Sequence, residues 1–160
     1  MHLGFSYVGF IFLLMLFIPN GFWTKNQPKD YDKYASRENK VLLAFERVGE
    51  VAVSALVLIF SDFNVHSSGP RLLWLGAAFV LMIMYELYWI RYFKSEKTMQ
   101  DFYRSFLGIP LAGATLPVLA VLLIAVYGKN PILFAAGMIL GIGHIGIHIQ
   151  HKNQITDIKE

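Results

Sequence analysis

Glu46, Arg47 and Glu50 interrupt a run that is otherwise apolar from Val41 to Ser61, and His144, His148 and His151 punctuate a second such run near the end of the chain. Each of the three charged groups would cost on the order of 2.5–3.5 kcal/mol at the centre of a lone lipid-exposed helix, so they must face protein or water. Glu46, Glu50 and Ser54 recur at i, i+4 and i+8 and form one stripe, from which Arg47 reaches Glu50 three residues on. Two carboxylates in a dry site do not both stay ionised without a counter-charge. Protonation of one, pairing with Arg47, or a bound cation would each resolve the conflict. A buried ion-pair cluster that merely holds helices together is the plainer alternative.

Gly137, Gly141, His144, His148 and His151 share one face of a helix, and the glycines would let a neighbouring backbone approach that face closely. His144 and His148, at i and i+4, can ligate one metal ion, although no glutamate between them completes an HExxH motif. His151 sits beside Lys152 and reads as a boundary residue rather than a third ligand. Glu86, within Tyr85-Glu86-Leu87-Tyr88, is a further acid about a turn and a half from the boundary set by Arg91. It either snorkels to Arg91 or Lys94 or joins the polar site, with Tyr85 and Tyr88 beside it as proton-relaying phenols or as a packing seam. Asn20 lies in Pro19-Asn20-Gly21, which reads as a helix break whose freed carbonyl needs a protein or water partner. The expected site thus comprises Glu46, Glu50 and Arg47 as catalytic groups and Glu86, Tyr85, Tyr88 and Asn20 as ligand-binding groups. His144, His148 and the three glutamates would be its metal ligands.

Five apolar runs of about the 20 residues needed to cross a bilayer must position these groups: Leu3 to Trp23, Val41 to Ser61, Leu72 to Ile90, Phe106 to Tyr127 and Pro131 to Gln150. Hydrophobic residues make up 56% of the 160 positions and charged residues 16%, against roughly 25% charged in ordinary soluble domains. The expected fold is therefore an all-α membrane bundle of five spans in one domain. Pro110 and Pro117 would kink the fourth span, and Met99 to Phe106 would form a short interfacial lead-in with Phe102, Tyr103 and Phe106 on the membrane surface. Trp23, Trp74, Trp89, Tyr7, Tyr92 and Tyr127 fall near span ends, where amphipathic rings favour the headgroup region.

Basic residues set the orientation. Lys25, Lys29, Lys33, Arg37 and Lys40 precede the second span, Arg91, Lys94, Lys97 and Arg104 separate the third from the fourth, and Lys152 and Lys159 follow the fifth. Only Arg71 and Lys129 fall on the opposite side, so the positive-inside rule gives an outer amino terminus and an inner carboxyl terminus. The net charge of +3 reflects this topology and makes no case for nucleic acid. The expected location is a bacterial or archaeal cytoplasmic membrane. Measured from the inner boundary, Glu46 lies about 9 Å deep, Glu86 about 7 Å, His148 and His144 about 6 and 12 Å, and Glu50 about 15 Å. The polar groups of three spans therefore share the inner half of the bilayer, where a cavity open to the cytoplasm or the inner leaflet is expected.

Cysteine is absent, which excludes disulfides, thiolate metal sites and cysteine nucleophiles. The favoured function is a metal-dependent intramembrane hydrolase. His144, His148 and the glutamates would hold zinc or another divalent ion, a spare carboxylate would act as general base, and Arg47 would orient a lipid-like substrate. A proton- or cation-coupled transporter or channel subunit is the alternative, and with five helices it calls for a homo-oligomer or a partner membrane subunit. A non-enzymatic ligand-binding protein is the third. Haem fits poorly, since His144 and His148 on one helix are not opposite axial ligands and His2 and His66 lie on the outer side.

Overall fold

The computed structural model describes residues 1–66 and 69–157, with side chains through Ile155. Among the described residues the chain is all-helical: α1 Tyr7–Trp23, α2 Tyr31–Ala35, α3 Lys40–Ile59, α4 Leu72–Phe93, α5 Met99–Tyr103, α6 Ala112–Tyr127 and α7 Pro131–Asp157, with a 3₁₀ turn at Ser61–Phe63. Two helical stretches, Leu72–Phe93 and Pro131–Ile155, are long and apolar enough to cross a membrane. α7 is the centre of the arrangement. It packs along α3 on one side and α6 on the other, α6 packs on α4, and α1 lies across α3 and α4.

Local chemistry sets the helix ends. α1 begins at Tyr7, later than the expected Leu3, because the Gly4 and Ser6 N–H groups donate to the Ile59 and Leu58 carbonyls (both 2.9 Å) and hold that stretch extended. The Ser6 hydroxyl then caps the helix, accepting from the Gly9 N–H at 2.9 Å. Pro19-Asn20-Gly21 is no break: α1 continues to Trp23 with Pro19 inside it. Asn39 caps α3 by accepting from the Val41 N–H at 2.8 Å. α6 starts at Ala112, not at Phe106, since Leu107, Gly108 and Leu111 take left-handed backbone angles (φ 50°, 79° and 52°) and turn the chain. Pro110 consequently lies before the helix and only Pro117 lies within it. α7 runs seven residues past the expected Gln150, to Asp157.

The aromatic residues depart most from expectation. Phe102 and Tyr103 do not face a membrane surface but are buried, Phe102 against Tyr88, Trp89 and Tyr92 of α4. Trp89, Tyr92 and Tyr127 are buried too, whereas Trp74 and Tyr7 remain exposed. The cause is that α5 packs on the aromatic face of α4, where Tyr88, Trp89 and Tyr92 meet Phe102. The Tyr85–Tyr88–Tyr92 row is a packing seam, with all three rings buried.

Candidate functional site

Glu46 and His144 meet because the helices that carry them come unusually close. A Cβ built on Gly143 would lie 2.2 Å from the Glu46 backbone nitrogen, and one on Gly49 would lie 2.5 Å from Leu140 Cα. Two glycines, one on each helix, thus remove the side chains that would hold α3 and α7 apart. The expected close-approach residues, Gly137 and Gly141, instead face Leu122 and Val118 of α6. The histidine face is turned between two neighbours, with its glycines against α6 and His144 against α3.

At the contact, His144 Nδ1–H donates to Glu46 Oε1 at 2.5 Å, the carboxylate acceptor assigning the proton to Nδ1. Both side chains are mostly buried. One turn further along α7, the His148 ring lies 4.6 Å from that of His144, centroid to centroid, and packs beside Phe102 and Tyr103. His151 follows. Its side chain is fully buried (0% exposed), so its position beside Lys152 misled the sequence reading: α7 continues for two turns beyond it. Tyr103 Oη and His151 Nδ1 share a hydrogen bond of 2.9 Å, and His151 Nε2 lies 3.2 Å from Glu38 Oε1, within ion-pair range but off the hydrogen-bond axis. The rings of Tyr31 and Tyr34 on α2 pack edge-on against His151.

Glu38, Tyr31, Tyr34 and Tyr103 are the members that sequence reasoning missed. They lie in polar connections without apolar periodicity, and the one usable signal was the histidine spacing, which continues to His151 on the same face. Gln150 fastens this connection to α7: its Nε2 donates to the Arg37 carbonyl (2.6 Å) and its Oε1 accepts from the Asn39 N–H (3.0 Å). Burial and the neighbouring Glu46 charge raise the Glu38 carboxyl above the usual range, with Arg47 opposing. Burial, reinforced by Glu38 and Glu46, also pushes the Tyr31 phenol up, and burial with neighbouring phenols and these acids does the same to Tyr103. Both phenols are therefore neutral hydrogen-bond donors at physiological pH.

Other expected members go elsewhere. Arg47 Nη1 does donate to Glu50 Oε2 (3.1 Å), but that pair turns outward, 71% and 44% exposed, while Glu46 faces α7. Glu46, Glu50 and Ser54 are therefore not one buried stripe; the buried face of α3 runs through Gly49, Val53 and Val57. Glu86 lies on α4, which packs on α6 and α1, and its buried Oε1 has no hydrogen-bond partner. Tyr88 donates to the Phe102 carbonyl at 2.7 Å, fixing α5 to α4. Asn20 Nδ2 donates to the Leu16 carbonyl (2.8 Å) and to Tyr85 Oη (3.3 Å), joining α1 to α4. Clefts of about 610 and 240 Å³ among the described residues are not lined by Glu46, His144 or His148.

The chain matches no protein-family model, no curated protein and no solved structure. Chemistry alone must interpret the site. Among the described residues no three His, Cys, Asp or Glu side chains converge to hold a metal ion. The arrangement is a row of two acids, three imidazoles and a phenol, Glu46–His144–His148–Tyr103–His151–Glu38, that leads from the α3–α7 contact to the connection before α3, with hydrogen bonds at Glu46–His144 and Tyr103–His151 and ring contacts at His148 between them.

Proposed function

We propose that this chain is a five-span membrane protein, amino terminus outside, whose acid–imidazole row takes up and passes protons through the inner half of the bilayer as part of a proton-coupled transporter or channel subunit. The observation that carries the reading is the Glu46–His144 hydrogen bond between two helices, continued by His148 and by the Tyr103–His151 bond. Imidazoles exchange protons near neutral pH, and intramembrane Glu and His rows commonly serve proton pathways.

Support for five spans comes from the outer faces of the helices. Phe17 on α1, Val51 on α3, Leu73 on α4, Leu119 on α6 and Ile142 on α7 are all exposed, an apolar girdle that suits lipid. α1 and α6 are short, about 26 and 24 Å at 1.5 Å per residue, and apolar non-helical residues extend both. Part of the backbone of those extensions is paired within the protein, as a bilayer favours: Phe106 and Ile109 exchange N–H···O bonds of 3.1 and 2.9 Å, and residues 4 and 6 pair with α3. The partners on this reading are membrane lipids and either further copies or a second membrane subunit.

A divalent-metal site is the second reading, favoured by one feature. Glu46 on His144 Nδ1 leaves Nε2 of that ring available, the arrangement by which a carboxylate orients a metal-bound histidine. His148 would be the second ligand, and a hydrolytic role would require further ligands from substrate, water or a partner.

One preparation tests both. In reconstituted vesicles loaded with a pH-sensitive dye, the wild-type chain should dissipate an imposed pH difference, and Glu46→Gln or His144→Gln should slow this by about tenfold or more. Equal rates in wild type, variants and empty vesicles would overturn the proton reading. Near-stoichiometric zinc or iron that disappears in His148→Ala would establish the metal reading in its place.

A further inference from the structure

At the end of the bundle remote from Glu46, the chain gathers its remaining charges into one place. Arg71 and Lys129 are the two basic residues that the loop count leaves on the outer side, and they line a single cleft of about 610 Å³ with His2, His66, Asp62 and Tyr127. They arrive from four separate segments: the extended start of the chain, the turn after α3, the residues before α4 and the α6–α7 turn. The segments forming this end, residues 1–6, 60–71 and 128–130, contain one acidic residue, Asp62.

That acid is already engaged. Its carboxylate accepts from the His2 backbone N–H (2.5 Å) and contacts His2 Nδ1 (2.8 Å), and the amino group of Met1 lies 3.9 Å away. Among the described residues neither Arg71 nor Lys129 has an ion-pair partner. Two exposed cations therefore border the cleft with no direct ion-pair partner among the described residues, and the one carboxylate that shares the cleft is held by His2 and the Met1 amino group. The wall beside them is fixed by Tyr127 Oη, which donates to the Asn64 carbonyl (3.0 Å) and accepts weakly from the His66 N–H (3.4 Å). A guanidinium fork and an ammonium converging on one open cleft recognise an oxyanion, with Arg supplying directional bonds and Lys a point charge.

We propose that Arg71 and Lys129 form an outer-face site for a phosphate-type oxyanion, either free or carried on a lipid headgroup. The site is independent of proton movement at the inner end. Binding of inorganic phosphate is measured by titration calorimetry on the full chain in a neutral detergent. Retention of phosphatidylglycerol is measured in parallel, by mass spectrometry of protein extracted from vesicles of that lipid mixed with a zwitterionic one. Saturable phosphate binding that weakens about tenfold or more in Arg71→Gln, and again in Arg71→Gln/Lys129→Gln, assigns the free anion. Selective lipid retention lost in the double variant, without phosphate binding in detergent, assigns the headgroup. Neither behaviour in wild type, or behaviour unchanged in the double variant or lost equally in an inner-side Lys25→Gln control, overturns the site. Unaltered helical circular dichroism of the variants separates loss of binding from loss of fold.

Discussion

Glu46 on α3 and His144 on α7 are 98 residues apart in sequence and 2.5 Å apart in space. The contact exists because Gly143, directly before the histidine, lies against the backbone of Glu46 itself. Space and chemistry are coupled here in adjacent positions, so a change in one should register in the other.

Gly143→Ala places a Cβ 2.2 Å from a backbone nitrogen, where no flexible side chain is available to yield. α3 and α7 must separate, at a cost of about 1–3 kcal/mol or more. Thermal unfolding in detergent should show a clear loss of stability, accompanied on the proton reading by reduced flux in vesicles. Gly76→Ala, with open space around the added methyl, should be neutral or slightly stabilising.

Tyr103→Phe removes the hydroxyl bonded to His151 Nδ1 and leaves a buried imidazole nitrogen without its partner. The expected loss is about 1–3 kcal/mol, read by denaturant titration. On the proton reading, Tyr103→Phe also slows flux, whereas Tyr88→Phe, which breaks a bond to the Phe102 carbonyl, lowers stability without a comparable effect on flux.

Two acids should leave opposite marks on the pH dependence of stability. Burial alone would raise the Asp62 carboxyl, but the backbone N–H and imidazole of His2 outweigh it and hold the group below its ordinary value. Its contribution is present above the unfolded value of about 3.9 and is lost as pH falls through the lower folded value; Asp62→Asn should remove that acid-side loss. Glu38 is shifted upward by burial and Glu46, so its contribution is complete below the unfolded value of about 4.3 and declines as pH rises through the higher folded one. Glu38→Gln should flatten that decline in unfolding profiles recorded across the acid range.

Thr98 and Asp101 form a reciprocal cap on α5, with Asp101 N–H donating to Thr98 Oγ1 (3.1 Å) and Thr98 N–H donating to Asp101 Oδ2 (3.2 Å). Thr98→Ala should cost about 1 kcal/mol in thermal unfolding. Because α5 carries Tyr103, faster hydrogen exchange over residues 99–103 should accompany it.

The long helices were legible because apolar runs and caps mark them: α4 begins at Leu72 and α7 at Pro131, both where expected. The end of α7 was not, since the residues after Gln150 form no apolar run, and the tertiary packing of His151 and Ile155 that accompanies the extra turns has no signal in the sequence. The start of α6 was missed because two of the three left-handed positions that turn the chain, Leu107 and Leu111, are leucines, which read as part of the apolar run and outweigh the single signal of Gly108. In the site, depth puts Glu46 at a level between His144 and His148, but which of the two it meets was not legible. Nor was the outward rotation of Glu50, because depth along a helix says nothing of azimuth until the neighbouring helix is known. Glu38 and Tyr103 escaped for a different reason: they lie on connections whose course only the folded chain reveals.

The glycine-lined seat of α7 between α3 and α6 also has a consequence for biogenesis. α3 emerges from the ribosome long before the helix that shelters its inward carboxylate, so Glu46 must wait, unpaired, through the synthesis of α4, α5 and α6. On the five-span reading, α3 is poorly suited to sit alone in lipid during that interval. Its stable residence in the bilayer would then be completed only when the last helix slots home, making α7 the keystone of assembly as well as the bearer of the histidines.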